Sequence, residues 1–126
     1  MNITELPQAK QSPRFENGIL MWYYKDTFTL LLNLELKLKN ELLTIKSDDI
    51  VTVHFYLDSM PIYTFTCTNI SNNTCELIFN EEISKKFIPG EYTYCIKFNN
   101  VIVSENSPNN ITTIGAKYKA IVETCI

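Results

Sequence analysis

The sequence has little of what most enzymes and nucleic-acid-binding proteins rely on. It contains one histidine, His54, one arginine, Arg14, and three glycines, and its formal net charge is −3. So few glycines leave no phosphate-cradling loop, and nothing marks out partners that would make His54 part of a catalytic triad. An acidic chain without clustered basic residues offers no grip on a phosphate backbone. These shortages predict a protein that is not an enzyme, needs no cofactor and does not bind nucleic acid.

Long hydrophobic runs are also missing. Residues 1–10 lack the basic end and the apolar run of about 7–15 residues that a secretory signal requires. The longest apolar stretches, such as residues 19–24, fall far short of the roughly 20 residues that span a bilayer. The sequence therefore predicts no membrane partner.

The four cysteines, Cys67, Cys75, Cys95 and Cys125, match no zinc-binding spacing. Because the context looks cytosolic, we expect free thiols and no metal site. If any pair is bridged, Cys67 and Cys75 are the best candidates, since they flank a polar turn and can face each other across a hairpin.

The amino-terminal segment differs from the remainder of the 126 residues. Residues 1–18 follow neither a helical nor a strand period, which indicates an extended N-terminal arm. The isolated hydrophobic residues Ile3, Leu6 and Phe15 are candidate anchors for docking on a neighbour, and a floppy terminus is the alternative. Residues 19–126 have the length and composition of one globular domain.

Period-two alternation of apolar and polar residues dominates that domain. It covers residues 28–38, 51–57 and 92–98. Alternation of this kind puts one row of side chains in a core and the other mostly in water, as in a half-buried strand of an antiparallel sheet. Three long strands are therefore predicted.

Shorter elements connect these strands. The Asp58-Ser59 pair predicts a tight turn into a strand over residues 62–67. Residues 80–87 carry glutamates early and lysines late, the charge order of a short helical turn. Further strands are predicted at residues 75–79, 101–103 and 111–123, and a helix remains an alternative for the last of them.

Several short strands joined by polar turns, without alternating helices, predict an all-β fold. The architecture that we expect is an immunoglobulin-like antiparallel β-sandwich with one short helical turn and an extended N-terminal arm. A β-barrel is the competing all-β arrangement.

Residues 21–24 form an apolar run in which both faces of a strand would be apolar. Since tryptophan and tyrosine are over-represented as interface anchors, Trp22 and Tyr24 are candidates for contact with another subunit. Burial inside the sandwich is the alternative.

Two segments carry a family resemblance. YYKDTF at residues 23–28 precedes a long alternating strand, and PGEYTYCI at residues 89–96 opens a late one. The chain thereby resembles the N-terminal immunoglobulin-like domain of phage baseplate upper proteins, over about residues 23–99. It departs from the pattern in lacking the glycine that precedes the aspartate in the family's "kGDtf" motif.

The resemblance implies a virion structural protein of a bacteriophage or phage-derived tail, in a particle assembled in the bacterial cytoplasm. A baseplate or tail-fibre adaptor is the role implied, with other particle subunits and copies of the chain itself as partners. A capsid decoration protein is an alternative. The resemblance also implies a structural role for Tyr92, whose hydroxyl would tie its strand to the preceding loop as in a tyrosine corner, and an ordinary core tyrosine is the alternative.

A carbohydrate-binding β-sandwich module is the alternative from a different functional class. In that reading the partner is a glycan, and exposed Trp22, Tyr56 and Tyr63 supply stacking faces for sugar rings.

Overall fold

A computed structural model of the protein describes residues 11–34, 37–38, 41–42, 50–67, 70, 73–104, 107–114 and 117–124. Within these ranges the chain forms eleven strands and one helix, in the order β1 (Arg14–Glu16), β2 (Ile19–Tyr23), β3 (Phe28–Asn33), β4 (Lys37–Leu38), β5 (Glu41–Leu42), β6 (Ile50–Leu57), β7 (Met60–Cys67), β8 (Thr74–Phe79), α1 (Glu81–Lys86), β9 (Gly90–Ser104), β10 (Ser107–Ile114) and β11 (Tyr118–Glu123). The all-β fold class is therefore confirmed.

The strands are arranged in a large sheet, a small sheet and a separate β4–β5 pair. The large sheet has the order β1-β2-β11-β9-β6-β7, with β10 pairing β9, and the small sheet consists of β3 and β8. Neighbouring strands are antiparallel except β2 and β11, which run parallel. The last strand of the large sheet thus lies between an early strand and β9.

The two sheets pack face to face, and their inner side chains form the core. Along β9 the residues at even positions 92–98 are buried, and along β6 the residues at odd positions 51–55 are buried. From the small sheet, Leu77 and Phe79 are buried against them, and the rings of Phe65 and Phe79 lie 4.7 Å apart between centroids. The period-two pattern of the sequence therefore produces an immunoglobulin-like sandwich with a single aromatic-rich core.

Two tight hairpin turns fix the register of the large sheet. Asn17 and Gly18 connect β1 to β2, and Asp58 and Ser59 connect β6 to β7, in both cases with positive φ at the two turn residues. This is the backbone conformation of the two-residue turns whose twist matches antiparallel strands. The turn predicted at Asp58-Ser59 is confirmed.

Helix α1 and the start of β9 connect the two sheets. The side chain of Asn80 caps the helix by accepting a hydrogen bond of 2.9 Å from the amide of Ile83. The hydroxyl of Tyr92 donates a hydrogen bond of 2.6 Å to the carbonyl of Ile88. Both the helical turn and the structural role of Tyr92 are therefore confirmed.

The strand expected over residues 28–38 is shorter in the structure, where β3 ends at Asn33. Leu34 lies outside the strand but is buried, and its amide donates a 2.6 Å hydrogen bond to the carbonyl of Asn73. This bond has the register of the β3–β8 ladder, in which Asn33 is opposite Thr74, so the pairing continues for one residue beyond the strand. Residues 35 and 36 lie outside the described residues, and Lys37–Leu38 form the separate strand β4.

The carboxyl end of the predicted arm belongs to the sheet. Residues 14–16 form β1 and pair with β2, so the last part of the segment predicted as an arm, residues 1–18, is a strand of the large sheet. The hydroxyl of Ser12 donates a 2.7 Å hydrogen bond to a carboxylate oxygen of Asp26, and it accepts one of 3.2 Å from the amide of Tyr23. The arm is consequently attached to the domain from Ser12 onwards.

Candidate functional site

The outer face of the large sheet is a polar surface formed by three neighbouring strands. We define it by the outward residues of β6, β9 and β11, which are Thr52, His54, Tyr56, Glu91, Thr93, Cys95, Lys97, Lys119, Ile121 and Glu123. Every one of them is half-buried or exposed, whereas the alternate residues of the same strands lie in the core. The face thus presents hydroxyl, aromatic and charged groups on a rigid support.

His54 lies near the middle of the outer face, as its place in the strand predicts. Its Nε2 is 2.9 Å from the hydroxyl of Thr52, and its Nδ1 is 3.1 Å from the hydroxyl of Thr64. Partial burial, together with the charge of Lys97, lowers the pKa of the imidazole. The lowered pKa favours the neutral imidazole, and both of its nitrogens lie within hydrogen-bond distance of threonine hydroxyls.

Beside His54 a shallow groove runs across the outer face. It consists of two adjoining depressions of about 400 and 340 Å³ that share Ser59, Thr93 and Lys117. The larger depression is also lined by Glu91 and Lys119 and the smaller by Tyr56, among other residues. The groove combines hydroxyl groups and charges of both signs with three tyrosines, of which Tyr92 and Tyr94 are buried and Tyr56 is half-buried.

The edge of the large sheet at β1 is fixed by Arg14. Its guanidinium is 2.6 Å from a carboxylate oxygen of Glu123 on β11 and 3.0 Å from one of Glu16, and it lies 5.8 Å from the centre of the Tyr23 ring. Next to it in β1, the side chain of Phe15 is 57% exposed. A large aromatic side chain is thus held on a well-supported edge strand.

The five residues predicted as interface anchors have different outcomes. Ile3 and Leu6 lie outside the described residues, and Phe15 is exposed on β1. Tyr24 is half-buried against the core, with the ammonium group of Lys25 5.3 Å from the centre of its ring. Among the described candidates, Phe15 exposes the largest fraction of its side chain.

Trp22 requires a correction, because it is completely buried and cannot act as an interface anchor. Its indole is surrounded by the rings of Phe28, Phe55, Phe79 and Phe87 at centroid distances of 5.2–6.3 Å. The indole N–H has no hydrogen-bond partner, and aromatic rings surround it instead. Burial inside the sandwich, the alternative left open by the sequence, is what the structure shows.

The same burial removes Trp22 as a stacking face for sugars. Of the three aromatic residues considered for that role, Tyr56 lines the groove, whereas Tyr63 packs against Phe65 at a centroid distance of 4.7 Å and carries Lys86 over its ring. The groove itself was not predicted, because Ser59, Thr93 and Lys117 come from three separate segments. The signal in the sequence that could have indicated the groove was the row of residues at the outward positions of β9.

Neither a metal centre nor a membrane span is found in the described part of the chain. Its histidine, cysteine, aspartate and glutamate residues include no group of three or more placed to hold a metal ion. Among the residues described, no helix is both long and apolar enough to cross a bilayer.

Comparison of the chain with models of protein families, with curated proteins and with solved structures gives no match. The class of the protein is therefore defined by its fold, an all-β immunoglobulin-like sandwich, and by the two surfaces described above. These are the groove on the outer face and the β1 edge with Phe15.

Proposed function

We propose that this chain is a structural subunit of a phage or phage-derived tail particle, a baseplate or tail-fibre adaptor that works through contacts with other proteins. The observation that carries the proposal is the β1 edge. There Phe15 is 57% exposed on a strand that Arg14 connects to β11. The tail-particle part of the proposal is supported by the family resemblance of residues 23–28 and 89–96.

The β1 edge has the properties of an assembly contact. Among the described strands β1 pairs with β2 alone, so its other side presents backbone donors and acceptors to which an extended segment of a neighbour can pair. Exposed aromatic side chains are frequent anchors of protein interfaces because they bury a large area with little loss of conformational entropy. Neighbouring subunits, including copies of this chain, are the partners that we propose.

Mass spectrometry of purified particles from the producing organism tests the role directly. We expect this chain to copurify with tail or baseplate proteins in a fixed stoichiometry through a density gradient. Its presence only in intact, filled capsids would instead indicate the alternative of a capsid decoration protein. Absence from every tail-like and capsid particle would refute the assembly role.

A pair of matched variants tests the surface. Phe15→Glu places a charge on the β1 edge, and we expect it to reduce incorporation into particles at least tenfold because a buried interface does not tolerate an unpaired carboxylate. Ile78→Glu is the control, since Ile78 is 55% exposed but lies on the outer side of the small sheet. Loss of incorporation with Ile78→Glu and not with Phe15→Glu would locate the contact on the other sheet.

A carbohydrate-binding role is the second candidate, and it is favoured by the groove. Tyr56 supplies an aromatic face there, and Ser59 and Thr93 supply hydroxyl groups within the same depression. Aromatic stacking together with a few polar groups is how proteins commonly hold sugars.

A glycan array separates this candidate from the assembly role. Binding that is lost with Tyr56→Ala but kept with Tyr118→Ala, in proteins with unchanged circular dichroism, would support it. Tyr118 is a suitable control because it is 37% exposed and does not line the smaller depression. An array without any signal would leave the assembly role as the better explanation.

A further inference from the structure

Two buried cysteines lie in contact between the two sheets. Cys67 is the last residue of β7 and pairs with Val51 in the large sheet, and Cys75 lies on β8 opposite Leu32 in the small sheet. Both side chains are buried, with exposed fractions of 5% and 1%, and their Sγ atoms are 2.8 Å apart. The contact thus connects the ends of strands that belong to different sheets.

We propose that Cys67 and Cys75 form a reversible disulfide site that links the large sheet to the small one. A disulfide bond requires a sulfur separation of about 2.0 Å, so a small side-chain rotation closes the remaining distance. Neither sulfur has to leave the core to meet its partner. Cys95 provides a contrast, since it lies on β9 in the outer face, away from the junction of the sheets.

In the closed sandwich the two thiols form a coupled pair, in which the Cys75 thiol donates to the Sγ of Cys67. When one of them ionises, the thiol that remains donates to the thiolate and stabilises it, so the contact lowers the pKa of one cysteine, Cys75, and raises the pKa of the other, Cys67. One proton of the pair is therefore released more easily than the other. Since the thiolate is the nucleophile in disulfide exchange, either cysteine can begin the reaction once the sheets separate, and the chemistry is the same with Cys75 as the first to react.

The oxidant that we propose is a low-molecular-weight disulfide. The Cys75 thiolate attacks one of its sulfurs, which breaks that bond, forms a mixed disulfide and releases one small thiolate. Cys67 loses its proton, and its thiolate then attacks the Cys75 sulfur and releases the second small thiolate. The two cysteines lose two electrons and two protons in total, and the small disulfide is reduced to two thiols.

The burial of both sulfurs determines when this exchange can take place. With almost no exposed surface on either sulfur, the oxidant reaches the pair only before β8 docks on the large sheet or during transient opening of the sandwich. Once formed, the bond is protected by the same burial. The site is therefore expected to be oxidised slowly and to be reduced slowly.

The bond would stabilise the sandwich. It closes a short loop, residues 67–75, which limits the conformations of the unfolded chain. We expect the melting temperature of the oxidised protein to lie about 8 °C above that of the reduced protein. This inference does not rest on the assembly role, because it concerns the core and neither of the proposed binding surfaces.

Peptide mapping of the full-length protein provides the test. No lysine or arginine occurs between Lys46 and Lys85, so trypsin releases Cys67 and Cys75 together on residues 47–85. Cys95 and Cys125 fall on two other tryptic peptides, residues 87–97 and 120–126. After incubation with oxidised glutathione and alkylation in denaturant, we expect residues 47–85 to be about 2 Da lighter and unalkylated, with the other two peptides alkylated.

Variants make the result specific. The Cys67→Ala/Cys75→Ala protein should show no change of melting temperature on reduction, and Cys95→Ala should behave like the unaltered protein. Alkylation of both Cys67 and Cys75 under these conditions would overturn the proposal. So would a disulfide that joins either of them to Cys95 or Cys125.

Discussion

The two faces of the large sheet are made by the same strands, yet they have opposite characters. The inner face carries Trp22, Phe55 and Tyr92 in complete or nearly complete burial. The outer face carries His54 and Thr93, which are half-buried or exposed and belong to a polar surface with a shallow groove. Adjacent positions of one strand therefore differ in environment, since the inner side chains are packed in the core and the outer ones are accessible to solvent.

Trp22→Ala should show most clearly that the inner face contributes more to stability than the outer face. It removes the side chain around which four aromatic rings pack, and we expect the free energy of unfolding to fall by about 3–5 kcal/mol. Met21→Ala is the control from the outer side of the same strand, with an expected loss of about 1 kcal/mol or less. Urea denaturation measures both, and equal losses would mean that the two faces of β2 contribute alike.

A reciprocal exchange of hydroxyl and methyl groups tests the same contrast at constant volume. Val53→Thr places a hydroxyl in the core, where Val53 is completely buried, and should cost about 1–3 kcal/mol. Thr93→Val makes the opposite change on the outer face and should alter stability by no more than about 0.5 kcal/mol. A similar cost for both variants in urea denaturation would contradict the assignment of the faces.

Tyr92→Phe tests the hydrogen bond that the inner face makes at its border with α1. Loss of the 2.6 Å bond to the Ile88 carbonyl should reduce the free energy of unfolding by about 1 kcal/mol. Tyr118→Phe, at an exposed tyrosine, should change it by less than about 0.5 kcal/mol. Thermal denaturation of the two variants side by side measures the difference, and an unchanged Tyr92→Phe protein would mean that the bond is dispensable.

The smallest expected effect is the pH dependence contributed by His54. Because its pKa is lowered in the folded state, the unfolded chain binds the proton more readily. The contribution of His54 to stability is thus present above its unfolded pKa of about 6.5 and is lost as the pH falls below it. Between pH 7.5 and 5.5 the melting temperature of the unaltered protein should fall by up to about 2 °C more than that of His54→Gln. An equal fall in both proteins would exclude this contribution.

Much of the fold could be predicted from the sequence because the strands are half-buried. Residues 51–56 and 92–98 alternate in the sequence and alternate in burial, since a sheet with one face in the core imposes the period directly. The turn at Asp58-Ser59 was predictable for a local reason, since short polar residues tolerate positive φ. At these positions, the local sequence was sufficient to predict the structure.

The site was less predictable because it depends on long-range pairing. Whether Trp22 or Met21 faces the core is decided by the strands next to β2, and the sequence around them is apolar on both sides. Likewise, the groove brings together Ser59, Thr93 and Lys117 only after β6, β9 and β11 have aligned.

The parallel pairing of β2 with β11 has a consequence for synthesis on the ribosome. Leu20 aligns with Ala120, so the two strands meet across a separation of 120 − 20 = 100 residues. Contacts between such distant segments form late, because the intervening chain must be ordered first. During translation, β2 with its buried tryptophan therefore lacks its β11 neighbour until the segment around Ala120 has left the exit tunnel, so this apolar strand is exposed for most of the synthesis of the domain.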